Sequence, residues 1–240
     1  MYRFVMVDDH YRTHWRFRDF FIERTDFVME KACYSAYEFL VYIKDLEIEK
    51  KPLPDLLVID INMPIADGAS LAHYMKIFYP NIKILILTVH DHEENLFNAT
   101  LCLADGFLMK PFFEDLIIDA FQRIMNGEEF YLDPRTTLPY PTIIEESLVY
   151  REERIRNVNP FNYSELERKY LIFQVMGLPN QRIAYLLDLS IEEVKKLHEH
   201  MVVKTGVSKL PKISEDSNLR NFSISHNLAR MADFRAFLTK

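Results

Sequence analysis

Five short apolar segments, each followed by a stretch with helical spacing, constrain the fold of this chain most strongly. The apolar segments cover residues 3–7, 27–32, 56–60, 82–87 and 106–109, and the helical stretches cover residues 11–23, 36–48, 69–78, 92–102 and 113–125. Continuous apolar strands that alternate with helices are typical of a parallel sheet covered on both faces. Because such crossovers are right-handed, the sequence predicts an α/β domain with a doubly wound, five-stranded parallel sheet.

The rest of the chain divides into a proline-rich segment and an all-helical region. Residues 133–160 contain four of the eleven prolines among many charged side chains, which favours a linker, although residues 143–156 also fit a helix. Only helical patterns follow. We therefore expect an α/β domain at residues 1–132, a linker at 133–160, and at 161–240 an all-α domain whose extended tail fits one more helix over Asn227–Leu238.

The net charge of −7 is unevenly distributed over these three regions. It is −9 for residues 1–132, −1 for residues 133–160 and +3 for residues 161–240. An acidic first domain and a mildly basic second domain indicate different partners. A surplus of +3 is by itself weak evidence for nucleic-acid binding.

Several classes of protein are excluded by what the sequence lacks. Its longest apolar runs, such as residues 82–87, are much shorter than the roughly 20 residues of a membrane span. The N-terminal residues do not have the pattern of a signal peptide. Cys33 and Cys102 are too few for a disulfide framework, and each lies in an apolar stretch where a buried thiol is expected. We expect a cytoplasmic protein that does not associate with membranes.

Polar residues stand at or directly after the ends of four of the five predicted strands. Asp8 and Asp9 follow the first strand, Asp60 ends the third, Thr88 follows the fourth and Lys110 follows the fifth. The ends of parallel strands open on one edge of the sheet, so these side chains are expected to converge. Three carboxylates repel one another unless a cation joins them, and Mg²⁺ prefers carboxylates with water and phosphate oxygens. The sequence predicts a magnesium site with an aspartate that can form an acyl phosphate.

Each of these residues taken alone has an ordinary structural explanation. An aspartate after a strand is commonly a helix N-cap, a threonine there is a turn former, and a Lys-Pro pair is a loop. Their joint placement at successive strand ends is what favours a functional site.

The motifs at these strand ends resemble those of a known family. They are Val7-Asp-Asp-His10, Asp60-Ile-Asn-Met-Pro64 with Asp67-Gly68, Leu87-Thr88 and Ala104-Asp-Gly-Phe-Leu-Met-Lys-Pro111. Over about residues 1–130 the chain is similar to the receiver domain of bacterial two-component response regulators. The resemblance implies a flavodoxin-like receiver that takes a phosphoryl group from a sensor histidine kinase.

The resemblance also implies the metal-binding and phosphoaccepting residues. Asp60 is the expected phosphoacceptor. Asp9 is expected to bind Mg²⁺ directly and Asp8 largely through water, with Asp60 and the backbone carbonyl of Asn62 as further ligands.

Thr88, Phe107 and Lys110 have further roles by the same resemblance. Lys110 and the hydroxyl of Thr88 are expected to hold phosphoryl oxygens, and Thr88 and Phe107 to form a switch pair. Because the whole set is present, we expect an active phosphoacceptor and disfavour a regulator that has lost phosphorylation. No enzymatic activity is expected beyond self-directed phosphotransfer and autodephosphorylation.

Competing chemistries fit the sequence less well. His10 and His14 have an i, i+4 spacing, but no acidic residue completes an H-E-x-x-H frame, so a partly buried or surface pair is expected instead of a zinc site. The Asp60-Ile-Asn62 segment lacks the second acid of an Asp-x-Asp phosphatase. The sequence has no glycine-rich phosphate loop, which argues against a nucleotide-dependent kinase or ATPase.

Residues 163–207 are predicted to form three helices. Capping boxes begin the first helix at Ser164 and the third at Ser190, and Gly206 ends the third. Val194, Leu197 and Met201 share the predicted inner face of the third helix, and Lys195, Lys196, Glu199, His200 and Val203 its outer face. A helix-turn-helix whose second helix enters the major groove fits this spacing, and so does a small packing or dimerisation module.

A second resemblance concerns these helices. Tyr163-Ser-Glu-Leu-Glu167, Gly177-Leu-Pro-Asn180, Val194-Lys195 and Lys204-Thr-Gly-Val207 are similar to the LuxR/NarL-type helix-turn-helix. It implies a regulator of transcription that binds DNA, and a homodimer at least when phosphorylated. Lys195 is the expected DNA contact, with Lys196 and Lys204 as phosphate partners.

The third helix departs from that family pattern at three positions. Glu193 stands where the family usually has threonine, Leu197 where it usually has histidine, and Glu199 adds an acid to the exposed face. Acidic side chains near phosphates oppose binding. The alternative is therefore a phosphorylation-gated regulator whose helical module binds protein and not DNA. Whether phosphorylation relieves shielding of the module or promotes dimerisation stays open.

Overall fold

The computed structural model describes residues 1–64, 68–89, 93–111, 113–128, 130–137 and 162–207. The chain divides into two compact units, Met1–Glu152 and Glu153–Lys240. The helices considered for residues 143–156 and for Asn227–Leu238 lie outside the described residues. Within the described part of the chain, no helix has the length and apolar character that a membrane crossing requires.

The first unit contains a parallel β-sheet with helices between its strands. The strands are β1 (Tyr2–Val7), β2 (Phe27–Cys33), β3 (Leu56–Asp60), β4 (Lys83–Thr88), β5 (Gly106–Met109) and β6 (Tyr131–Leu132), in the order β2-β1-β3-β4-β5-β6. The helices are α1 (Tyr11–Phe21), α2 (Ala36–Ile48), α3 (Gly68–Phe78), α4 (Glu93–Leu101) and α5 (Glu114–Met125). The predicted α/β fold with a doubly wound parallel sheet is confirmed.

The predicted number of strands, five, is wrong by one. Strand β6 pairs in parallel with β5, so that Tyr131 lies beside Gly106 and Leu132 beside Phe107. Two residues are too few to produce a periodic pattern in the sequence. The strand forms because Tyr131 is fully buried in the core beside β5 and α5, which is a tertiary effect.

A cluster of phenylalanines holds α1 and α5 against the sheet. The ring of Phe121 on α5 lies 5.0 Å from that of Phe4 on β1 and 5.2 Å from that of Phe21 on α1. Phe17 and Phe27 complete the cluster, and all five are buried. Burial of large aromatic side chains dominates core energetics, and here it fixes the strand β1 whose end carries two aspartates.

Gly68 is required by the close approach of α3 to the end of β3. A Cβ atom at this position would lie 2.1 Å from the backbone oxygen of Asp60 and 2.7 Å from Cγ2 of Ile59. The Gly68 amide donates a hydrogen bond to the carbonyl of Ile61 at 3.0 Å. Only glycine permits this approach without a backbone shift.

The second unit contains the helices α6 (Glu165–Val175), α7 (Asn180–Leu187) and α8 (Ile191–Thr205). Both predicted capping boxes are present, at Ser164 before α6 and at Ser190 before α8. Gly206 ends α8 in the left-handed conformation, with φ of 72°. Val194 and Met201 are fully buried and Leu197 is half-buried, as the helical spacing predicts.

Candidate functional site

The carboxyl edge of the sheet brings a lysine and two aspartates into direct contact. Nζ of Lys110 donates to Oδ2 of Asp8 at 2.7 Å and to Oδ2 of Asp60 at 2.8 Å. The two carboxylates have side-chain exposures of 0% and 3%. One ammonium group therefore contacts two buried acids, one directly after β1 and one at the end of β3.

Asp8 is held at three points besides its contact with the lysine. Its amide donates to the carbonyl of Cys33 at 3.1 Å, and its Oδ1 accepts from the amide of His10 at 2.8 Å. Nε2 of His14, a buried residue of α1, lies 2.6 Å from the Asp8 carbonyl oxygen and donates to it when protonated there. His10 is exposed, so the two histidines do not form a joint site.

A metal ion fits the acidic group at this edge. One ligand atom each from Asp8, Asp9, His10 and Asp60 lies within 4.8 Å of the others. Nδ1 of His10 lies 2.9 Å from Oδ1 of Asp9. Three carboxylates suit a hard divalent cation such as Mg²⁺. The sequence prediction brought the three aspartates together but missed His10, whose one signal was its position directly after them.

Asp60 has an unusual electrostatic environment. Burial raises its pKa; Lys110 opposes this effect, and the neighbouring charge of Asp8 adds to it. The amide of Asn62, which is exposed at the next turn, donates to Oδ1 of Asp60 at 3.3 Å. Because more acids than bases are gathered here, the edge favours the entry of a cation.

Thr88 and Phe107 lie on the neighbouring strands β4 and β5. Thr88 is fully buried, its hydroxyl accepts from Nδ2 of Asn95 at 3.1 Å, and its carbonyl accepts from the amide of Lys110 at 2.6 Å. Phe107 is fully buried, with its backbone beside Ile86 in the sheet. The backbone of Thr88 is thus hydrogen-bonded to the backbone of Lys110, the residue whose side chain contacts Asp60.

The lysines of α8 have two different environments. Lys195 and Lys196 are exposed, and Nζ of Lys195 lies 4.0 Å from a carboxylate oxygen of Glu192. Lys204 instead donates to both carboxylate oxygens of Glu167 on α6, at 2.7 and 2.8 Å. Its ammonium also lies 4.9 Å from the centre of the Tyr163 ring. Sequence reasoning placed Lys204 on a binding surface and missed this ion pair, which joins residues on separate helices.

Glu167 is the centre of a polar cluster within the second unit. Besides Lys204, the amide of Ser164 donates to it at 2.7 Å, and Nε2 of His200 lies 2.9 Å from its Oε1. Burial alone would raise the pKa of this acid, but these partners outweigh burial and lower it to about 2. The cluster stabilises the contact between α6 and α8.

Glu193, which departs from the LuxR/NarL pattern, has a local structural role. Its carboxylate accepts from the amide and the hydroxyl of Ser190, both at 2.7 Å. These hydrogen bonds lower the pKa of Glu193. The acid therefore faces the N-terminus of its own helix, where negative charge is favourable.

A doubly wound parallel sheet with aspartates and a lysine at its carboxyl edge defines a receiver-type signalling domain, here followed by a helical unit. Residues 4–122 match the family described as the response regulator receiver domain. The chain therefore belongs to the two-component response regulators, and the function expected from the sequence is confirmed at this level.

Similarity to known proteins extends past the receiver. The chain is 28% identical to the uncharacterized transcriptional regulatory protein YxjL of Bacillus subtilis, over 84% of this chain and 88% of YxjL. It is 27% identical to the oxygen regulatory protein NreC of Staphylococcus aureus (strain JH9), over 89% of this chain and 95% of NreC. A solved LuxR-family response regulator from Aurantimonas sp. SI85-9A1 supports the fold alone, with 21% identity, a TM-score of 0.51, and coverage of 62% of this chain and 99% of its own. The resemblance to LuxR/NarL-type regulators is confirmed.

Proposed function

We propose that this response regulator accepts a phosphoryl group on Asp60 from a sensor histidine kinase and thereby controls transcription through DNA binding by its second unit. The observation that carries the proposal is the contact of Lys110 with both Asp8 and Asp60. This contact brings the end of β5 to the ends of β1 and β3, where a phosphoryl group on Asp60 would lie.

In the proposed reaction an oxygen of Asp60 attacks phosphorus. The new P–O bond forms as the P–N bond of the kinase phosphohistidine breaks, and the electron pair stays on the histidine nitrogen. Lys110 holds one phosphoryl oxygen and neutralises part of the charge that develops on it. The hydroxyl of Thr88 donates a hydrogen bond to another phosphoryl oxygen.

The acidic residues would hold the metal ion that this reaction needs. Asp8, Asp9, Asp60 and the backbone carbonyl of Asn62 would bind Mg²⁺, with His10 beside them. When bound, Mg²⁺ screens the repulsion between carboxylates and phosphoryl oxygens. Hydrolysis of the acyl phosphate returns Asp60 to its starting state, and the proposal includes no other enzymatic activity.

The test is the intact mass of the chain after incubation with Mg²⁺ and acetyl phosphate, beside Asp60→Asn. We expect a gain of one phosphoryl group in the wild type and none in the variant, because the variant lacks the nucleophilic carboxylate. Asp19→Asn, which changes an exposed aspartate of α1, is the matched control and should gain the group as the wild type does. No gain in the wild type with several phosphodonors would contradict the proposed phosphoacceptor.

A second candidate function is regulation through protein contacts without DNA. The engagement of Lys204 by Glu167 favours it, because this pair removes one cation from the proposed DNA surface. A gel shift with random duplex at low salt separates the two, since a true DNA binder shows nonspecific binding under these conditions. Sedimentation with and without acetyl phosphate tests whether phosphorylation also produces the homodimer expected from the sequence.

A further inference from the structure

Two residues that follow β6 contact the loop that carries Lys110. Asp133 is fully buried, and its Oδ2 accepts from the amide of Met109 at 2.8 Å. Arg135 donates to the same carboxylate, from Nε to Oδ1 at 3.0 Å and from Nη2 to Oδ2 at 2.6 Å. Both residues lie beyond the stretch 4–122 that matches the receiver family.

Arg135 also binds the backbone on both sides of Lys110. Its Nη2 donates to the carbonyl of Met109 and its Nη1 to the carbonyl of Pro111, each at 2.6 Å. The guanidinium carbon lies 5.8 Å from the centre of the Phe113 ring. The planar, forked donor of an arginine holds two carbonyls in one fixed geometry, whereas the ammonium of a lysine is a point charge on a flexible stem.

The charge of Asp133 keeps this arrangement in place. Burial opposes ionisation, but the hydrogen bonds from Arg135 and from the Met109 amide outweigh it, so the pKa of Asp133 is lowered. The carboxylate is therefore ionised at neutral pH and orients the guanidinium. Removal of one partner of a buried, hydrogen-bonded pair leaves the other uncompensated.

The position of Lys110 depends on this loop. Its amide donates to Thr88, and its ammonium must reach Asp8 and Asp60 at the same time. A displacement of about 1 Å in a catalytic group reduces a rate by up to about a hundredfold. The hydrogen bonds from Arg135 to the carbonyls of Met109 and Pro111 therefore affect the position of the Lys110 ammonium as well as the stability of the loop.

We infer that Arg135, oriented by Asp133, is a positioning residue for Lys110 and ties the segment that leaves the receiver to the phosphoacceptor site. The inference rests on the proposed function, because the binding of a phosphoryl oxygen by Lys110 belongs to that proposal. Coupling of this kind is reciprocal. A change in the position of Lys110 therefore alters the geometry of the hydrogen bonds that Arg135 makes to the loop. Conversely, displacement of Asp133 and Arg135 alters the position of Lys110.

The first test measures the loop in the full chain without a phosphodonor. Hydrogen exchange at the amides of Met109 and Lys110 is compared between the wild type and Arg135→Met, and faster exchange is expected in the variant. Arg24→Met is the matched control, because Arg24 binds Asp26 with the same two-residue spacing, at 2.9 and 2.6 Å, directly before β2 at the opposite edge of the sheet. Unchanged exchange in Arg135→Met would overturn the inference.

The second test is a double-mutant cycle with acetyl phosphate and Mg²⁺. Arg135→Met is expected to slow phosphorylation about tenfold, Arg135→Lys to recover part of the loss, and Arg135→Met to cause no further slowing in the Lys110→Met background. Equal slowing in both backgrounds would mean general damage to the fold and overturn the inference. The inference would also be overturned if the wild type takes up the phosphoryl group and Arg135→Met takes it up equally fast. A wild type that takes no phosphoryl group contradicts the proposed function and the inference together.

Discussion

Asp60 in the receiver and Glu167 in the second unit are both buried acids that accept hydrogen bonds from a lysine, yet their pKa values move in opposite directions. Burial raises the pKa of Asp60 despite its contact with Lys110. The partners of Glu167 lower its pKa to about 2 despite burial. Asp60 is the more deeply buried of the two, with 3% of its side chain exposed against 10% for Glu167, and the partners of the two acids differ as well.

The partners of the two acids differ in the ratio of bases to acids. In the receiver one ammonium serves both Asp8 and Asp60, with Asp9 nearby. In the second unit one lysine, one histidine and a backbone amide serve the single acid Glu167. The first arrangement keeps an excess of negative charge that a cation can compensate, whereas the second is satisfied within the unit. A similar ion pair thus leaves negative charge uncompensated in one unit and is compensated in the other.

The largest effect is expected from Lys110→Met. Loss of the ammonium removes a donor to the phosphoryl oxygens, so phosphorylation by acetyl phosphate should slow about a hundredfold. Binding of Mg²⁺, measured by calorimetry, should stay at least as tight as in the wild type, because the variant leaves the acids more negative. Lys51→Met, at an exposed position, is the control. Weaker Mg²⁺ binding in Lys110→Met would contradict the interpretation of the receiver site as a site with excess negative charge.

A smaller effect is expected from Glu167→Gln, and it falls on stability. The folded pKa of Glu167, about 2, lies below the value of 4.5 for an unperturbed glutamate, so its ionisation stabilises the fold above about pH 4.5. That stabilisation is lost as the pH falls from about 4.5 to about 2. At pH 7 we expect the variant to lower the free energy of unfolding of the second unit by about 2 kcal/mol.

Chemical unfolding at several pH values measures this effect. The difference between the wild type and Glu167→Gln should shrink as the pH approaches 2. Glu165→Gln, at an exposed acid in the same turn that pairs with Lys169, should change stability little. A difference that does not depend on pH would show that packing, and not the charge of Glu167, holds α6 to α8.

The smallest effect is expected on DNA binding. Lys195→Ala should weaken binding, because it removes one contact to a DNA phosphate. It should also lower by about 1 the salt slope, which is the steepness with which the logarithm of the binding constant falls with the logarithm of the salt concentration. Lys204→Ala should change the slope less, since its ammonium is engaged by Glu167. Lys169→Ala is the control on α6. Titrations of labelled duplex at several salt concentrations measure these slopes, and a larger change in Lys204→Ala than in Lys195→Ala would contradict the assigned helix surface.

Much of the fold could be predicted from the sequence because its signals are local. Apolar runs and helical spacing located five strands and the helices between them, and the two capping boxes at Ser164 and Ser190 began helices where expected. The convergence of Asp8, Asp60 and Lys110 followed from one rule, that parallel strands end on the same edge. The sequence did not reveal contacts between segments that no local pattern connects. Examples are the pairing of β6 with β5 and the ion pair of Glu167 with Lys204.

The sequence by itself therefore determined the order of the elements other than β6, the family and the acids that gather at the sheet edge. Only the tertiary structure decided how each charge is compensated: that Lys110 is shared by two acids, that His14 supports the backbone of Asp8, and that Arg135 brackets the loop of the lysine. The reason is physical. Secondary structure depends on the pattern of neighbouring residues, whereas the energy of a charge depends on burial and on partners that the fold brings from distant parts of the chain.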